Sequence, residues 1–383
     1  MPEDQSPHRR FGLADLLAFG VLTAIVARFA GPQPSAVASG TPRPTALPLG
    51  TPRKAVESTL EESAARAGET GRGRGARYPW HIPWAGWNDI MWRTYGQVNE
   101  DRLLLVAAGV VFYGLLAIFP AISAFVSIYG LFTDATTVEQ HVSLLADVIP
   151  ADAMGPVEEQ VRRVSGAGSG SLSVTFLISL AVALWSANAG MKAVIDSLNV
   201  AYGEREKRSF IKLTIVAFMF TIGVIVAALV AIAAIVVFPV ATSFLGVGTE
   251  AAMLASWLRW PILLLAILAG LGILYRFAPS RTKPRWQWVS LGSVIAAVLW
   301  LGGSAALSFY FSRFADYSAT YGSLAAGIGL MTWMWLSAIV VLLGAELNAE
   351  IEHQTARDST IGGDKPLGTR GATVADTVGA AQD

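Results

Sequence analysis

Residues 103–132, LLLVAAGVVFYGLLAIFPAISAFVSIYGLF, decide the fold, because they run for thirty residues without a charge. About 20 apolar residues suffice to cross a hydrocarbon core ~30 Å thick. Lipid offers the backbone no hydrogen-bond partner, so a spanning segment must satisfy its own amides and therefore forms a helix. Further long apolar stretches follow before Leu347. The sequence therefore predicts an all-α, polytopic membrane protein.

The composition agrees with this prediction and excludes several chemistries. Hydrophobic residues make up 53% of the chain and charged residues 15%, against about 25% charged in soluble domains. The formal net charge is zero, so bulk charge favours no partner. The chain has no cysteine and its four histidines are far apart, which excludes disulfides, thiolate nucleophiles and the usual histidine metal motifs. We expect no metal and no cofactor.

The hydropathy pattern predicts a bundle of six transmembrane helices. The predicted spans are about 103–132, 172–194, 211–240, 257–277, 288–311 and 321–347. Two links, between the second and third spans and between the fourth and fifth, are strongly basic, whereas the opposite links carry few cations. The basic residues are Arg205, Lys207, Arg208, Lys212, Arg276, Arg281, Lys283 and Arg285. By the positive-inside rule these links are cytoplasmic, and so are both termini.

The membrane domain, residues 103–353, is flanked by segments of different character. Residues 1–80 form an N-terminal extension, in which an apolar segment, 11–30, precedes a linker rich in Pro, Gly, Ala, Ser and Thr that predicts disorder. The apolar segment leaves three alternatives open: an interfacial or poorly ordered helix, an extra span, or a cleaved signal peptide. Residues 81–102 are rich in Trp and predict an amphipathic helix in the membrane interface. We expect a disordered C-terminal tail at 354–383.

Polar groups on the second predicted span are candidates for function, because such groups are costly at membrane depth. Asn188, Lys192, Asp196 and Asn199 recur at helical spacing and share one face. Lys192 and Asp196 lie one turn apart and could neutralise each other. The strip either lines a pathway or fixes neighbouring helices by hydrogen bonds.

A second group of polar residues closes the sixth predicted span. Glu346, Glu350 and His353 fall on one helix face. A carboxylate at the hydrocarbon boundary would be protonated or would find a cation, and Lys192 and Arg102 are expected at the same depth. Two roles stay open: proton coupling, or an ion pair that fastens helix ends together.

Several separated motifs resemble the YihY/BrkB family of bacterial inner-membrane proteins, formerly mislabelled ribonuclease BN. The motifs are Phe119-Pro120, WSAN at 185–188, LNVAYG at 198–203, LYRFAP at 274–279, YGSLAA at 321–326 and GAELN at 344–348. The similarity extends over roughly 87–353. It implies six transmembrane helices with cytoplasmic ends, in the bacterial inner (plasma) membrane. Some members are linked to movement of lipid or lipid-A precursors across that membrane.

No catalytic residue is predicted, because nucleophile-elbow, Walker, nucleotide-binding and paired-carboxylate metal motifs are missing. A nuclease would need metal-binding carboxylates near a basic groove, so we expect neither nuclease activity nor nucleic-acid binding. Small residues at expected helix crossings, including Gly292 and Ala296, predict close packing.

The sequence therefore predicts a transporter or flippase for a lipid or other amphipathic substrate, with membrane lipids as partners. The alternative is a non-transporting scaffold or envelope-integrity factor. Periodicity does not distinguish a monomer from a homo-oligomer. The predicted substrate-pathway residues are Asn188, Lys192, Asn199, Glu346 and Asn348, and the predicted hinges are Pro120 and Pro239.

Overall fold

A computed structural model of the chain describes residues 53–116, 169–232, 249–314 and 324–382. Over these residues the secondary structure is helical without a β-strand, apart from one isolated antiparallel bridge between Pro284 and Thr360. The predicted hinges Pro120 and Pro239, and the apolar segment 11–30, lie outside the described residues.

Helices occupy the described parts of the predicted apolar stretches. In chain order they are α1 Arg53–Ala67, α2 Trp84–Glu100, α3 Leu103–Leu116, α4 Ser169–Ala201, α5 Phe210–Ile232, α6 Thr249–Phe277, α7 Ser290–Phe314, α8 Leu324–His353 and α9 Thr373–Asp376, with short 3-10 turns at Pro79–His81 and Trp286–Trp288. Three of these helices, α1, α2 and α9, lie outside the predicted apolar stretches. Among the described residues, three segments are long and apolar enough to cross a membrane: Phe210–Ala227, Trp286–Phe311 and Gly327–His353. Leu103–Leu116 and Pro261–Phe277 are apolar but shorter. The all-α class is confirmed for this part of the chain, and the count of six crossings and the cytoplasmic termini stay predictions.

Helix α8 is the centre of the bundle. It packs against α7, α2, α4 and α9, while α5 packs mainly on α4 and α6 mainly on α7. The core on its inner face includes the fully buried side chains of Leu198, Tyr202, Tyr275 and Ala345. The bundle is therefore built of two helix pairs, α4–α5 and α6–α7, joined through α8.

The closest helix crossing, between α7 and α8, depends on glycine. A Cβ atom on Gly344 would lie 2.5 Å from the Tyr275 hydroxyl oxygen and 2.8 Å from the Ala296 Cβ. Gly292 faces the Gly344 carbonyl oxygen across the same crossing. The expected close packing at Gly292 and Ala296 is therefore confirmed.

Helix α2 has the reverse of the pattern of a soluble amphipathic helix. It buries Asp89 and Arg93 against α8, whereas Trp84 is 85% exposed and Trp92 55% exposed. Exposed Trp rings are typical of the headgroup level of a bilayer. The region forms a helix at Trp84–Glu100, and its place in the membrane interface stays a prediction.

The structure differs from the disorder predicted for the C-terminal tail and for the described part of the linker, residues 53 onward. Residues 354–382 fold back on α8, and Thr355 donates a hydrogen bond to the carbonyl of Ala76, in the part of the linker that precedes α2. The tail is held by side-chain bonds to its own backbone: Arg370 donates to four carbonyl groups, and Asp376 accepts from three successive N–H groups. Hydrogen bonds of this kind leave no hydrophobic periodicity in the sequence. A prediction made from composition therefore gave disorder for this segment.

Candidate functional site

A cavity of about 2050 Å³ separates the two helix pairs. Because α5 packs mainly on α4 and α6 mainly on α7, α5 and α6 contact each other little, and α8 also lines the space between them. The lining is mainly apolar and includes Val216, Phe220, Val224, Leu264, Ile267, Leu271, Leu274, Met334 and Val341. Pockets for small ligands commonly measure about 300–1,000 Å³, so this cavity is large enough for an acyl chain.

The mouth of the cavity is basic. The basic side chains that line it are Lys207, Arg208, Lys212, Arg276, Arg281 and Lys283. All of them come from the two basic links that predict the cytoplasmic side of the protein. The cavity thus combines an apolar body with a cationic rim, which is the distribution that complements an amphipathic anion.

Three rim cations are bound to carboxylates. Lys207 lies 2.9 Å from Glu204, Arg208 lies 2.7 Å from Glu206, and Arg281 pairs with Glu352. Burial raises the pKa of Glu206, but hydrogen bonds from Arg208 and its charge outweigh burial and lower the pKa to about 2.

The other three rim cations, Lys212, Arg276 and Lys283, have no carboxylate within ion-pair distance among the described residues. Two of them lie over aromatic rings: the Arg276 guanidinium carbon is 4.3 Å from the Trp286 ring centroid, and the Lys283 Nζ is 4.6 Å from that of Phe277. Their charges are therefore available to a ligand in the cavity.

The predicted pathway residues Asn188 and Asn199 make hydrogen bonds between elements. The Asn188 side chain donates to the Thr214 carbonyl at 3.2 Å and so joins α4 to α5. The Asn199 side-chain oxygen accepts from the Ser280 N–H at 2.7 Å, and its amide donates to Glu206 at 3.2 Å. This is the geometry of the packing alternative, and a role of these residues in a pathway stays a prediction.

Lys192 and Asp196 do not neutralise each other. The Lys192 Nζ lies 4.5 Å from the Phe210 ring centroid, and Asp196 is exposed. An exposed carboxylate retains its hydration, which offsets most of what an ion pair would contribute.

At the end of α8 the predicted residues fall within the protein core. Asn348 accepts a hydrogen bond from the Gly292 N–H at 2.9 Å and donates to the Val289 carbonyl at 3.2 Å, so it caps the first turn of α7. Glu346 is fully buried on α8. The five predicted pathway residues are all absent from the described lining of the cavity, and their functional role stays a prediction.

Two buried ion pairs hold α8, and their partners differ from the expected cations Lys192 and Arg102. Glu350 pairs with Arg93 of α2 at 2.6 Å, and Glu352 pairs with Arg281 in the link after α6. Burial alone would lower the pKa of Arg281, but the Glu352 carboxylate outweighs burial and raises it. Glu350 and Glu352 are two positions apart and so lie on different faces of α8, and their partners depend on the tertiary fold.

The fold and the cavity define an all-helical membrane protein whose membrane domain encloses an apolar, basic-rimmed chamber. No group of three His, Cys, Asp or Glu side chains that could hold a metal occurs in the part of the chain that the structure describes.

The chain belongs to the family described as Virulence factor BrkB, whose model matches residues 94–367. It is 34% identical over 251 residues to the Putative ribonuclease-like protein YfkH of Bacillus subtilis, covering 63% of this chain and 88% of YfkH. It is 25% identical over 281 residues to a UPF0761 membrane protein of Pseudoalteromonas translucida, covering 72% of this chain and 88% of that protein. A UPF0761 membrane protein of Tolumonas auensis is 39% identical over 100 residues, 26% of this chain and 32% of that protein. No solved structure matches the chain.

Proposed function

We propose that the protein moves a lipid or another amphipathic molecule between the leaflets of the bacterial inner membrane. The observation that carries this proposal is the cavity between α5, α6 and α8, with apolar walls and a cationic mouth. A lipid is also divided into an apolar and a polar part: its acyl chains suit the apolar walls, and its polar headgroup suits the cationic rim.

The obstacle to lipid exchange is the headgroup, because a polar group in hydrocarbon without hydrogen bonds is costly. A polar pair lines the cavity near the middle of its helices: the Trp300 indole N–H donates to the Ser337 hydroxyl at 2.9 Å. Together with the rim, this pair offers a headgroup partners at two depths. A protein path of this kind would lower the barrier that the bare bilayer imposes.

Two glycines in the cavity wall allow a direct test. Gly223 on α5 and Gly270 on α6 both line the cavity, and a Cβ on either would have no atom within 4 Å. A Trp at these positions would therefore project into open space and obstruct the cavity. Gly302 on α7 provides the control, because it has equally open surroundings but does not line the cavity.

The experiment measures leaflet exchange of labelled lipids in proteoliposomes by leaflet-specific quenching. We expect the wild-type protein to accelerate exchange, Gly223→Trp and Gly270→Trp to slow it, and Gly302→Trp to keep the wild-type rate. If both cavity variants exchanged lipid at the wild-type rate, the cavity would not be the path of exchange. No exchange above empty liposomes across several headgroups, with folded protein, would favour the non-transporting scaffold instead.

A further inference from the structure

We propose that Arg276 and Lys283 form a binding site for the phosphate of an anionic lipid headgroup at the mouth of the cavity. This inference deepens the proposed function and rests on it for the origin of the ligand, although binding can be measured without transport.

The first argument is local charge balance. The rim holds six basic side chains, and the described carboxylates Glu204, Glu206 and Glu352 each bind one of them. The mouth therefore carries an excess of positive charge beside an apolar chamber. A zwitterionic headgroup balances its own charge, whereas an anionic headgroup complements this excess.

The second argument is the placement of Arg276. Its guanidinium carbon lies 4.3 Å from the Trp286 ring centroid and 5.3 Å from that of Phe277. Stacking of this kind occupies the face of the guanidinium and leaves the N–H groups at its edge free to donate. Its Nε–H is buried and has no hydrogen-bond acceptor among the described residues. A buried donor without an acceptor is costly, and a phosphate oxygen would supply the acceptor.

The third argument is the position of Lys283 and Trp286 relative to that guanidinium. Lys283 lies on the same Phe277 ring as Arg276, 4.6 Å from its centroid, so both cations surround one aromatic side chain. Trp286 is 51% exposed, and exposed Trp is typical of the headgroup level. The two cations are thus arranged where a lipid phosphate would lie.

The ligand is a lipid and not a free phosphate ester, because the cations continue directly into apolar walls. Leu274, one turn before Phe277 on α6, lines the cavity together with Leu271. A headgroup held at the rim would therefore place its acyl chains against these side chains, and a soluble ester would leave the walls without a partner.

The test measures binding of labelled phosphatidylglycerol and labelled phosphatidylcholine to the purified full-length protein in detergent. We expect Arg276→Gln and Lys283→Gln each to weaken retention of phosphatidylglycerol about five-fold, with retention of phosphatidylcholine unchanged. The matched control is Arg205→Gln, which removes an exposed cation from one of the same basic links but outside the cavity. It should leave phosphatidylglycerol retention near the wild-type value.

Three results would overturn the inference. If Arg205→Gln weakened phosphatidylglycerol retention equally, the binding would be due to diffuse surface charge and not to a site. If Lys283→Gln and Arg276→Gln both retained phosphatidylglycerol as the wild type does, there would be no site. Because Lys283 is exposed, Lys283→Gln tests the site even if Arg276→Gln fails to fold. Competition by glycerol phosphate as strong as that by the lipid would assign the site to a soluble ester.

Failure of the two proposals can be told apart. Retention that depends on the rim, combined with leaflet exchange that is unaffected by Gly223→Trp and Gly270→Trp, would leave the headgroup site and remove the transport path. If Gly223→Trp and Gly270→Trp block leaflet exchange but loss of the rim cations does not change lipid retention, the transport path would stand and the headgroup site would be removed.

Discussion

Replacing Arg93 by methionine removes one partner of a buried ion pair and keeps most of the side-chain volume. Arg93 donates to the Glu350 carboxylate at 2.6 Å, to the Gln354 side chain at 2.6 Å and to the Ala380 carbonyl at 2.8 Å. The side chains of Arg93 and Glu350 are only 7% and 1% exposed. The substitution therefore leaves a carboxylate buried without its guanidinium and releases the end of the C-terminal tail.

The expected cost follows from this burial. Loss of one partner from a buried pair typically lowers the free energy of unfolding by about 3–5 kcal/mol, because the remaining charge stays desolvated. Replacing both partners by apolar residues is often close to neutral. The double variant Arg93→Met with Glu350→Met should therefore recover most of the loss and retain the cost of the lost hydrogen bonds to Gln354 and Ala380.

The assay is a double-mutant cycle on the detergent-solubilised protein, with unfolding followed by denaturant titration and tail release by limited proteolysis. We expect a coupling free energy of about 2 kcal/mol or more, within the range for contacting residues. The reasoning fails if Arg93→Met unfolds within about 1 kcal/mol of the wild type, since the loss of the guanidinium from a buried carboxylate should cost more than that. It also fails if the two single effects add in the double variant.

Three further predictions concern the packing, the pH dependence and the N-terminal extension. Gly344→Ala should destabilise the protein by about 1–3 kcal/mol, because its Cβ would overlap Tyr275 and Ala296, whereas Gly302→Ala, with open surroundings, should be neutral or stabilising in the same unfolding assay. The folded-state pKa of Glu206 is about 2, below its ordinary 4.5. Its stabilising contribution is therefore complete above pH 4.5 and is lost as the pH falls towards 2. In a thermal-unfolding series, the stability of Glu206→Gln should depend less on pH between these values than that of the wild type. Deletion of residues 1–80 removes Arg72 and its 2.6 Å ion pair with the buried Asp89, so it should reduce the yield of folded protein on size-exclusion chromatography.

The helices of the membrane domain could be predicted from the sequence because apolar length is a local property. A span such as Gly327–His353 needs no knowledge of its neighbours, since the solvent alone requires a helix there. The helix α2 was equally predictable, because its Trp residues recur within one short stretch. The glycine crossing at Gly292 was anticipated for the same reason, as a run of small residues marks close approach wherever it occurs.

The folded tail and the cavity could not be predicted, because both depend on contacts between distant parts of the chain. Residues 354–382 have the composition of a disordered segment, yet Arg370 and Asp376 fix their backbone and Thr355 binds the segment that precedes α2. The cavity depends on which helices pair, and hydropathy does not distinguish a helix that packs on α4 from one that packs on α7.

The basic residues show a distinction that cannot be made from the sequence. Arg276 and Arg281 lie in one basic link, five positions apart, and the positive-inside rule treats them alike. In the structure Arg281 is buried against Glu352, whereas Arg276 lines the cavity mouth without a described carboxylate. In a buried pair each charge is already satisfied by the other, whereas an unpaired cation beside an apolar chamber gains its counterion from a ligand. Partner and burial therefore separate the structural cations from those that can bind a substrate, and neither property can be seen in the sequence.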